Sequence, residues 1–475
     1  MKKLQLILFA IVGILSMITT GCIEDGFTYN SSDVLAFSCD TLKFDTVFTE
    51  VGTSTRKFVV YNHNKKMLNI SSIKMRGGAA KAKFYLNVDG IKGTEFKDVE
   101  VRGDDSIFVF VEAYVDPTNA NTPVAIEDQV QFITNGVQQN ILVTAAGQDV
   151  TIYYAKEITA DTHLTADKPY LIFDSLTVAP GAVLTVDPGA TIYFHDKAKI
   201  NVKGQLIAKG TKEMPINFRG DRLDNVVGDI GYDIMSGQWG GIRLFNESFG
   251  NEMQYVSMRG SSWGVDIDST SVDKMKLHLF NSVLHNSSGS VLTSRYAWVE
   301  AEGTEFSDAK GSVVSLIGGK AKMIQCTFAN YYLFGAISGS IVNLSYLLPA
   351  DKKALPLMEA NFDNCIIYGN IGELNISDLT GASVYLRNCL LKSKGSDDSN
   401  FFTCKWSADP KYYTVREKYI FDYRLKNKSD AIAAGNRALC PESARYDRYG
   451  VDRFMRDGID IGAYTWVENT KEDSK

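Results

Sequence analysis

The chain has little of what metal or nucleic-acid chemistry requires. Its 475 residues include only five His and seven Cys, and 50 Lys plus Arg stand against 56 Asp plus Glu. The net charge of −6 argues against the basic surface by which phosphate backbones are bound, so no nucleic-acid partner is expected. Cys22, Cys39, Cys326, Cys365, Cys389, Cys404 and Cys440 show no CxxC pair and no Cys/His spacing of a zinc site. No metal ligand and no cofactor site is therefore assigned. Proline is scarce at ten residues, and past the first eighteen positions no apolar run reaches spanning length. What is plentiful is Gly (39), Tyr (23) and Phe (25), the mixture of short strands joined by turns. With 45% hydrophobic and 22% charged residues the composition is that of folded structure. The length exceeds one ordinary core and implies several domains or a repeat array.

Lys2 and Lys3 precede an apolar stretch from Leu4 to Ile18, the layout of a secretory signal. The segment Ile18-Thr19-Thr20-Gly21-Cys22 resembles a bacterial lipobox, with Thr19 in place of the usual Leu. That resemblance implies cleavage before Cys22 and acylation of its thiol. Each buried methylene contributes about 0.8 kcal/mol, so several acyl chains hold firmly. Glu24 and Asp25 are similar to the acidic export signal of Bacteroidetes-type surface lipoproteins. The expected location is the outer membrane, lipid-anchored and surface-exposed.

From Phe27 to Val150 short alternating runs recur, clearest at Lys57–Tyr61, Ser106–Val111 and Asn140–Val143. Phe132 to Ile141 reads as a hairpin about Asn135-Gly136. About seven strands in this stretch predict an immunoglobulin-like sandwich. Phe44-Asp45-Thr46-Val47-Phe48, Val60-Tyr61-Asn62 and Ala146-Gly147-Gln148-Asp149 resemble Hydin-type Ig-like domains.

Past Val150 the pattern becomes a coil of strands. Ala179-Pro180-Gly181-Ala182 and Asp187-Pro188-Gly189-Ala190 are near-copies, each followed by alternating apolar residues. A repeat aligns on Val256, Ser282, Thr304, Cys326, Cys365 and Cys389, spaced by 26, 22, 22, 39 and 24 residues. Two residues on stand Met258, Leu284, Phe306, Phe328, Ile367 and Leu391; three back stand Met253, Leu279, Ala301, Met323, Phe362 and Leu386. Strand side chains alternate faces, so apolar residues at minus three, zero and plus two cannot all face inward unless the chain bends between them. The residue before zero is Tyr255, Asn281, Gly303, Gln325, Asn364 or Asn388. Four of these six are Asn or Gly, which adopt left-handed backbone most readily. The long gap contains Leu347 to Lys353, read as a protruding loop.

These columns, with Gln238-Trp239-Gly240-Gly241-Ile242, resemble the right-handed parallel β-helix repeats of exported Bacteroidetes lipoproteins. Ser429 to Gly435, Asp447 to Arg453 and Asp460-Ile461-Gly462-Ala463-Tyr464 resemble the C-terminal module called choice-of-anchor Q, where Thr465 departs from the usual acidic residue. The expected fold is all-β: signal peptide 1–21, tether 22–30, Ig-like β-sandwich 31–150, right-handed parallel β-helix 151–425, a C-terminal cap 426–467 closing the open end of the coil, and a disordered tail 468–475.

No catalytic residue is assigned. Asp-Asp occurs only at Asp104-Asp105, outside the coil, and at Asp397-Asp398 in a polar loop, and Gly-His-Gly is absent. Asp266 and Asp268 share a strand face at a spacing of about 6.5–7 Å, which suits paired carboxylates and equally a solvated outer face. His278 is expected to face outward; His285 and Arg295 lie near it without a carboxylate cluster. The stacked Cys326, Cys365 and Cys389 fit as small buried packing groups. The charges from Asp447 to Asp460 suit either Ca²⁺ or mutual pairing, and pairing is the simpler account. Trp239, Trp263, Tyr331 and Tyr332 are candidates for stacking on sugar rings, beside the ordinary role of aromatics in strands. The expected function is a surface lipoprotein binding a polysaccharide or a surface protein without catalysis. A polysaccharide lyase or glycoside hydrolase, and a structural or adhesive envelope protein, are the alternatives.

The anchor is directly testable. Cys22→Ala, or globomycin treatment, should release the protein from the membrane fraction; unchanged retention on fractionation would refute lipidation.

Overall fold

The computed structural model describes residues 26–52, 55–77, 82–228, 230–347, 355–376 and 382–470. Cys22, the signal segment, most of the Leu347–Lys353 loop and the last five residues lie outside them. Strands dominate, with a few short 3-10 turns, and no described helix is long and apolar enough to cross a membrane. The chain divides into two compact units, the second beginning at Val150.

The first unit has two largely antiparallel sheets. One orders its strands Ala36–Phe37, Arg56–Asn62, Asp105–Val115, Ala82–Val88 and Ile91–Gly93. The other orders Thr41–Phe48, Val137–Gln148, Val124–Thr134, Leu68–Met75 and Glu95–Phe96, with Val99–Val101 also paired to Leu68–Met75. Alternation puts Phe58, Val60, Val109 and Val111 of the first sheet into one core with Ile70, Val130, Phe132 and Val143 of the second. The predicted hairpin is present: Asn135 and Gly136 both have positive φ (51° and 79°), joining strands paired from Val124↔Gly147 to Thr134↔Val137.

The second unit is a parallel sheet of 25 strands among the described residues, wound so that most strands pair with the one three further along. Lys199–Val202 pairs with Ile242–Leu244, which pairs with Val265–Ile267, which pairs with Leu292–Glu302. Each rung therefore satisfies its backbone groups on the next, and inward side chains stack. The two apolar columns lie in register. One runs through the pairs Met253↔Leu279, Leu279↔Ala301, Ala301↔Met323, Met323↔Phe362 and Phe362↔Leu386. The other runs from Met258↔Leu284 to Ile367↔Leu391.

The bend between them is left-handed in every copy. Tyr255, Asn281, Gly303, Gln325, Asn364 and Asn388 have φ of 49°, 44°, 58°, 51°, 52° and 51°. A seventh corner follows at Thr403, φ 54°, only fifteen residues after Asn388. In five of the seven copies the residue after the corner closes it. Ser282 donates its hydroxyl to Met253 O (3.2 Å), and the thiols of Cys326, Cys365, Cys389 and Cys404 donate to Ala301, Met323, Phe362 and Leu386 O (3.3–3.5 Å). A small donor at this position thus reaches back across the corner to the rung beneath. Burial pushes the Cys365 thiol up, keeping it a protonated donor.

The C-terminal segment, expected from sequence to close the open end of the coil, packs along its side. It lies against successive rungs because its partners are the corners. Asn281 Nδ2 donates to Tyr446 O (3.1 Å) and Asn364 Nδ2 to Asn436 O (2.9 Å), while Asn364 Oδ1 accepts from Asn436 N (2.7 Å). Gln325, turned with its amide nitrogen toward the segment, donates to Gly462 O (2.9 Å) and Asp460 O (3.0 Å). Apolar packing of Tyr412, Tyr423, Leu425, Ile461 and Ala463 on Ala329, Ile366 and Leu390 completes the seam. Most of the charged residues from Asp447 to Asp460 are absorbed in it. Arg453 is buried and donates to three carbonyls (Ala444, Gly462, Ala463), Arg445 pairs with Asp452, and Arg456 pairs with Asp460.

A β-branched residue is strained at positive φ by about 1–2 kcal/mol. Asn388→Val should lower unfolding stability by that amount, while Asn388→Gly should stay within about 0.5 kcal/mol, read from chemical denaturation of both variants.

Candidate functional site

Three strands of the coil are buried on both faces: Val283–Ser287, Glu305–Ala309 and Thr327–Asn330. Their outward side chains, which alternation assigns to solvent, face the C-terminal segment. The result is a polar cluster under that segment and a cavity of about 410 Å³ beside it, lined among others by Lys212, Arg259, His285, Glu305, Tyr449 and Tyr464.

His285, Glu305, Ser307 and Asp308 form the floor. Ser307 Oγ donates to Glu305 Oε1 at 2.6 Å and lies 2.9 Å from His285 Nδ1, and Asp308 Oδ2 is 3.4 Å from the same nitrogen. The segment supplies two phenols from above: Tyr464 donates to Glu305 Oε2 and Tyr423 to Asp308 Oδ2, the latter at 2.6 Å. The backbone N–H of Tyr331 donates to Asp308 Oδ1 at 2.7 Å. Asp308 itself has φ 57°, a conformation that Asp tolerates better than most residues. Burial pushes the Asp308 carboxyl up to about 7 against the pull of these donors, and raises Glu305 as well. Burial, with the nearby Arg259 guanidinium, holds the His285 imidazole well below its usual value, so it is neutral at pH 7.

The cavity carries excess positive charge. Arg448 also lines it, donating to Val256 O (3.2 Å) and Asn281 O (2.6 Å). Arg259 is exposed, and its Nε donates to Ser257 Oγ at 3.2 Å. Neither guanidinium is in an ion pair among the described residues. By contrast Asp422, also in the wall, is neutralised by Arg424 at 2.5 Å.

None of the six residues expected to face a ligand lines this cavity. Trp239 is fully buried, stacked on Phe194 at 4.0 Å, with its indole N–H donating to Arg259 O at 2.8 Å. Tyr332 is 3% exposed, its hydroxyl 2.8 Å from Ser236 Oγ. Both assignments are corrected: these aromatics fill the fold. Tyr331 is half-buried and packs on Tyr423, and Trp263 is half-buried above the close-packed Gly240 and Gly241. Asp266 and Asp268 stand on the outer face, paired with Arg295 (2.5 Å) and Arg243 (3.0 Å) while Val265 and Ile267 are in the core. His278 is half-buried, its Nε2 4.0 Å from Glu302. The cluster that does form, at His285, Glu305, Ser307 and Asp308, escaped sequence reasoning. Its trace was apolar residues one position after the column origin, at Val283, Ile366 and Leu390, where a solvated face predicts polar ones. Among the described residues no group of three or more His, Cys, Asp or Glu is placed to hold a metal ion.

No family model matches the chain. Among curated proteins, 72 residues, 15% of this chain, are 39% identical to Protein bark beetle of Drosophila melanogaster; the match spans 2% of that protein's length. Among solved structures, a family 123 glycoside hydrolase from Clostridium perfringens, described in terms of glycolipid glycan hydrolysis, aligns over 24% of this chain and 26% of that one, at 8% identity and a TM-score of 0.16. A likeness at that level carries no argument about fold or function.

The carboxyl of Asp308 links pH to stability. Its folded value (about 7) exceeds its ordinary value of 3.8, so between about pH 4 and 7 the folded state holds a proton that the unfolded chain has lost. Stability from this group is full below that window and declines as pH rises through it. Asp308→Asn removes the dependence: relative to wild type the variant should gain stability from pH 4 to 7 in thermal melts, and parallel pH curves would contradict the assignment.

Proposed function

We propose that this chain is an exported surface lipoprotein, anchored through Cys22, whose coil binds an anionic glycan in the cavity under the C-terminal segment. The reading includes a right-handed β-helix for the coil and an Ig-like spacer for the first unit. The observation that carries it is the pair of guanidinium groups, Arg259 and Arg448, lining one cavity in which neither forms an ion pair among the described residues and Glu305 is the one carboxylate acting on both. Uncompensated charge in a partly desolvated cleft favours an anion, and guanidinium suits a planar carboxylate best. The saccharide part of the reading rests on the remaining wall. Tyr449 is 53% exposed, and Phe421 and Tyr255 line the same cavity. Such aromatic faces pack on the apolar faces of sugar rings while phenol groups meet hydroxyls. A volume of about 410 Å³ falls at the small end of ligand-binding clefts, enough for one or two sugar units of a longer chain.

Calorimetric titration with oligogalacturonate, alginate and hyaluronan oligomers against neutral galactan oligomers tests this. At least one uronate should bind, more weakly at higher salt. Arg259→Gln should weaken it about tenfold or more, since a hydrogen bond to a charged group contributes about 1.5–3 kcal/mol. Equal binding of the neutral oligomers would overturn the reading.

A further inference from the structure

His285 is the one group in the cavity whose arrangement exceeds what binding needs. Its ring is 6% exposed and lines the cavity wall. The Ser307 hydroxyl has a single hydrogen, and it is committed to Glu305 Oε1 at 2.6 Å. With Glu305 ionised, the contact of 2.9 Å between Ser307 Oγ and His285 Nδ1 is donated by the imidazole. The proton sits on Nδ1, with Asp308 Oδ2 3.4 Å away on the same side, and Nε2 carries the lone pair. Nε2 has no partner among the described residues. Tyr464 fixes the other oxygen of Glu305 and Tyr423 holds Asp308, so the C-terminal segment locks the tautomer from above. An oriented imidazole, neutral at pH 7, with one nitrogen free and lining a cavity, is the equipment of a general base.

We propose that His285 is the catalytic base of a β-elimination that cleaves the uronate-containing glycan held at Arg259 and Arg448. This rests on the binding reading above and names its chemistry. A carbon-bound hydrogen next to an ionised carboxylate is too weakly acidic to be removed directly. Guanidinium groups on that carboxylate stabilise the negative charge that develops on its oxygens as the proton leaves. His285 Nε2 takes the hydrogen from C5 as a proton. The C5–H electron pair becomes the C4=C5 double bond, and the C4–O bond breaks with its pair on the leaving oxygen. That oxygen takes a proton from water at the cavity mouth, and the imidazolium returns its own to solvent. No oxidant, reductant or further reactant is consumed.

The groups facing the imidazole set its pH behaviour. Arg259 comes from the preceding rung, and Ser307, Asp308 and Glu305 from the following one. Phe421, Asp422, Tyr423, Arg448 and Tyr464 come from the C-terminal segment. Burial and Arg259 lower the imidazole, so the rate should rise with pH to a plateau reached below the titration range of a free histidine.

The test uses the full chain with polygalacturonate, alginate and hyaluronan, following the ultraviolet absorbance of the conjugated double bond and, in parallel, oligomer binding. At least one uronan should be cleaved with new unsaturated ends. His285→Asn, whose amide can keep the Ser307 contact, and His285→Gln should bind that oligomer within about threefold of wild type. Both should lose turnover by about 100-fold or more, the scale of general base catalysis. Retained binding shows that a variant is folded. If uronate binds but no unsaturated product forms on any polymer, or if either histidine variant turns over like wild type, the catalytic proposal falls while the binding reading stands. If no uronate binds, both fall.

Discussion

A left-handed residue at one corner of each rung from Tyr255 onward is the constraint on which that part of the second unit depends. Strand side chains alternate, so apolar residues three before and two after the corner share the interior only if the backbone bends by one step there. Reversing φ at a single position achieves this, at a cost of roughly 1–2 kcal/mol for a residue other than Gly, Asn or Asp. The cost is offset locally. Corner amides donate onward to the next rung, as in Asn281 N to Glu302 O and Gln325 N to Asp363 O, both 2.9 Å. The Ser and Cys side chains that follow donate backward to the rung beneath.

The same corners decide what happens outside. Left-handed geometry turns the amide side chains of Asn281, Gln325 and Asn364 toward the C-terminal segment, and those amides hold it. Once the segment is seated, outward positions such as His285, Glu305 and Asp308 are no longer in water, and their protonation follows burial. The phenols of Tyr423 and Tyr464 meet the two carboxylates and leave the imidazole with one free nitrogen. A backbone requirement of the coil thereby propagates, through side-chain amides, into the electrostatics of a cavity.

What the sequence discloses divides along the same line. The interior columns were legible because stacked rungs demand the same residue class at the same step, and Asn or Gly before the origin named the corner. Tyr255, Gln325 and Thr403 were not recognisable as corners from their type: their neighbours hold them there, not their own preference. The rung ending at Cys404 was missed because it is shorter than the others. The polar cluster was hidden for a different reason. Glu305 meets Tyr464 across 159 residues and Asp308 meets Tyr423 across 115, so nothing local separates these acids from a solvated face. Trp239 and Tyr332 were placed wrongly because aromatic residues serve core and surface alike. Asp266 and Asp268 do lie on the outer face, where alternation around Val265 and Ile267 puts them.

Amide hydrogen exchange on the intact chain tests the corner account most directly. The N–H groups of Asn281, Gly303, Gln325, Asn364 and Asn388 each donate to a carbonyl of the next rung, so they should exchange as slowly as the amides of the strands on either side. Fast exchange at these five positions, within otherwise protected strands, would contradict it.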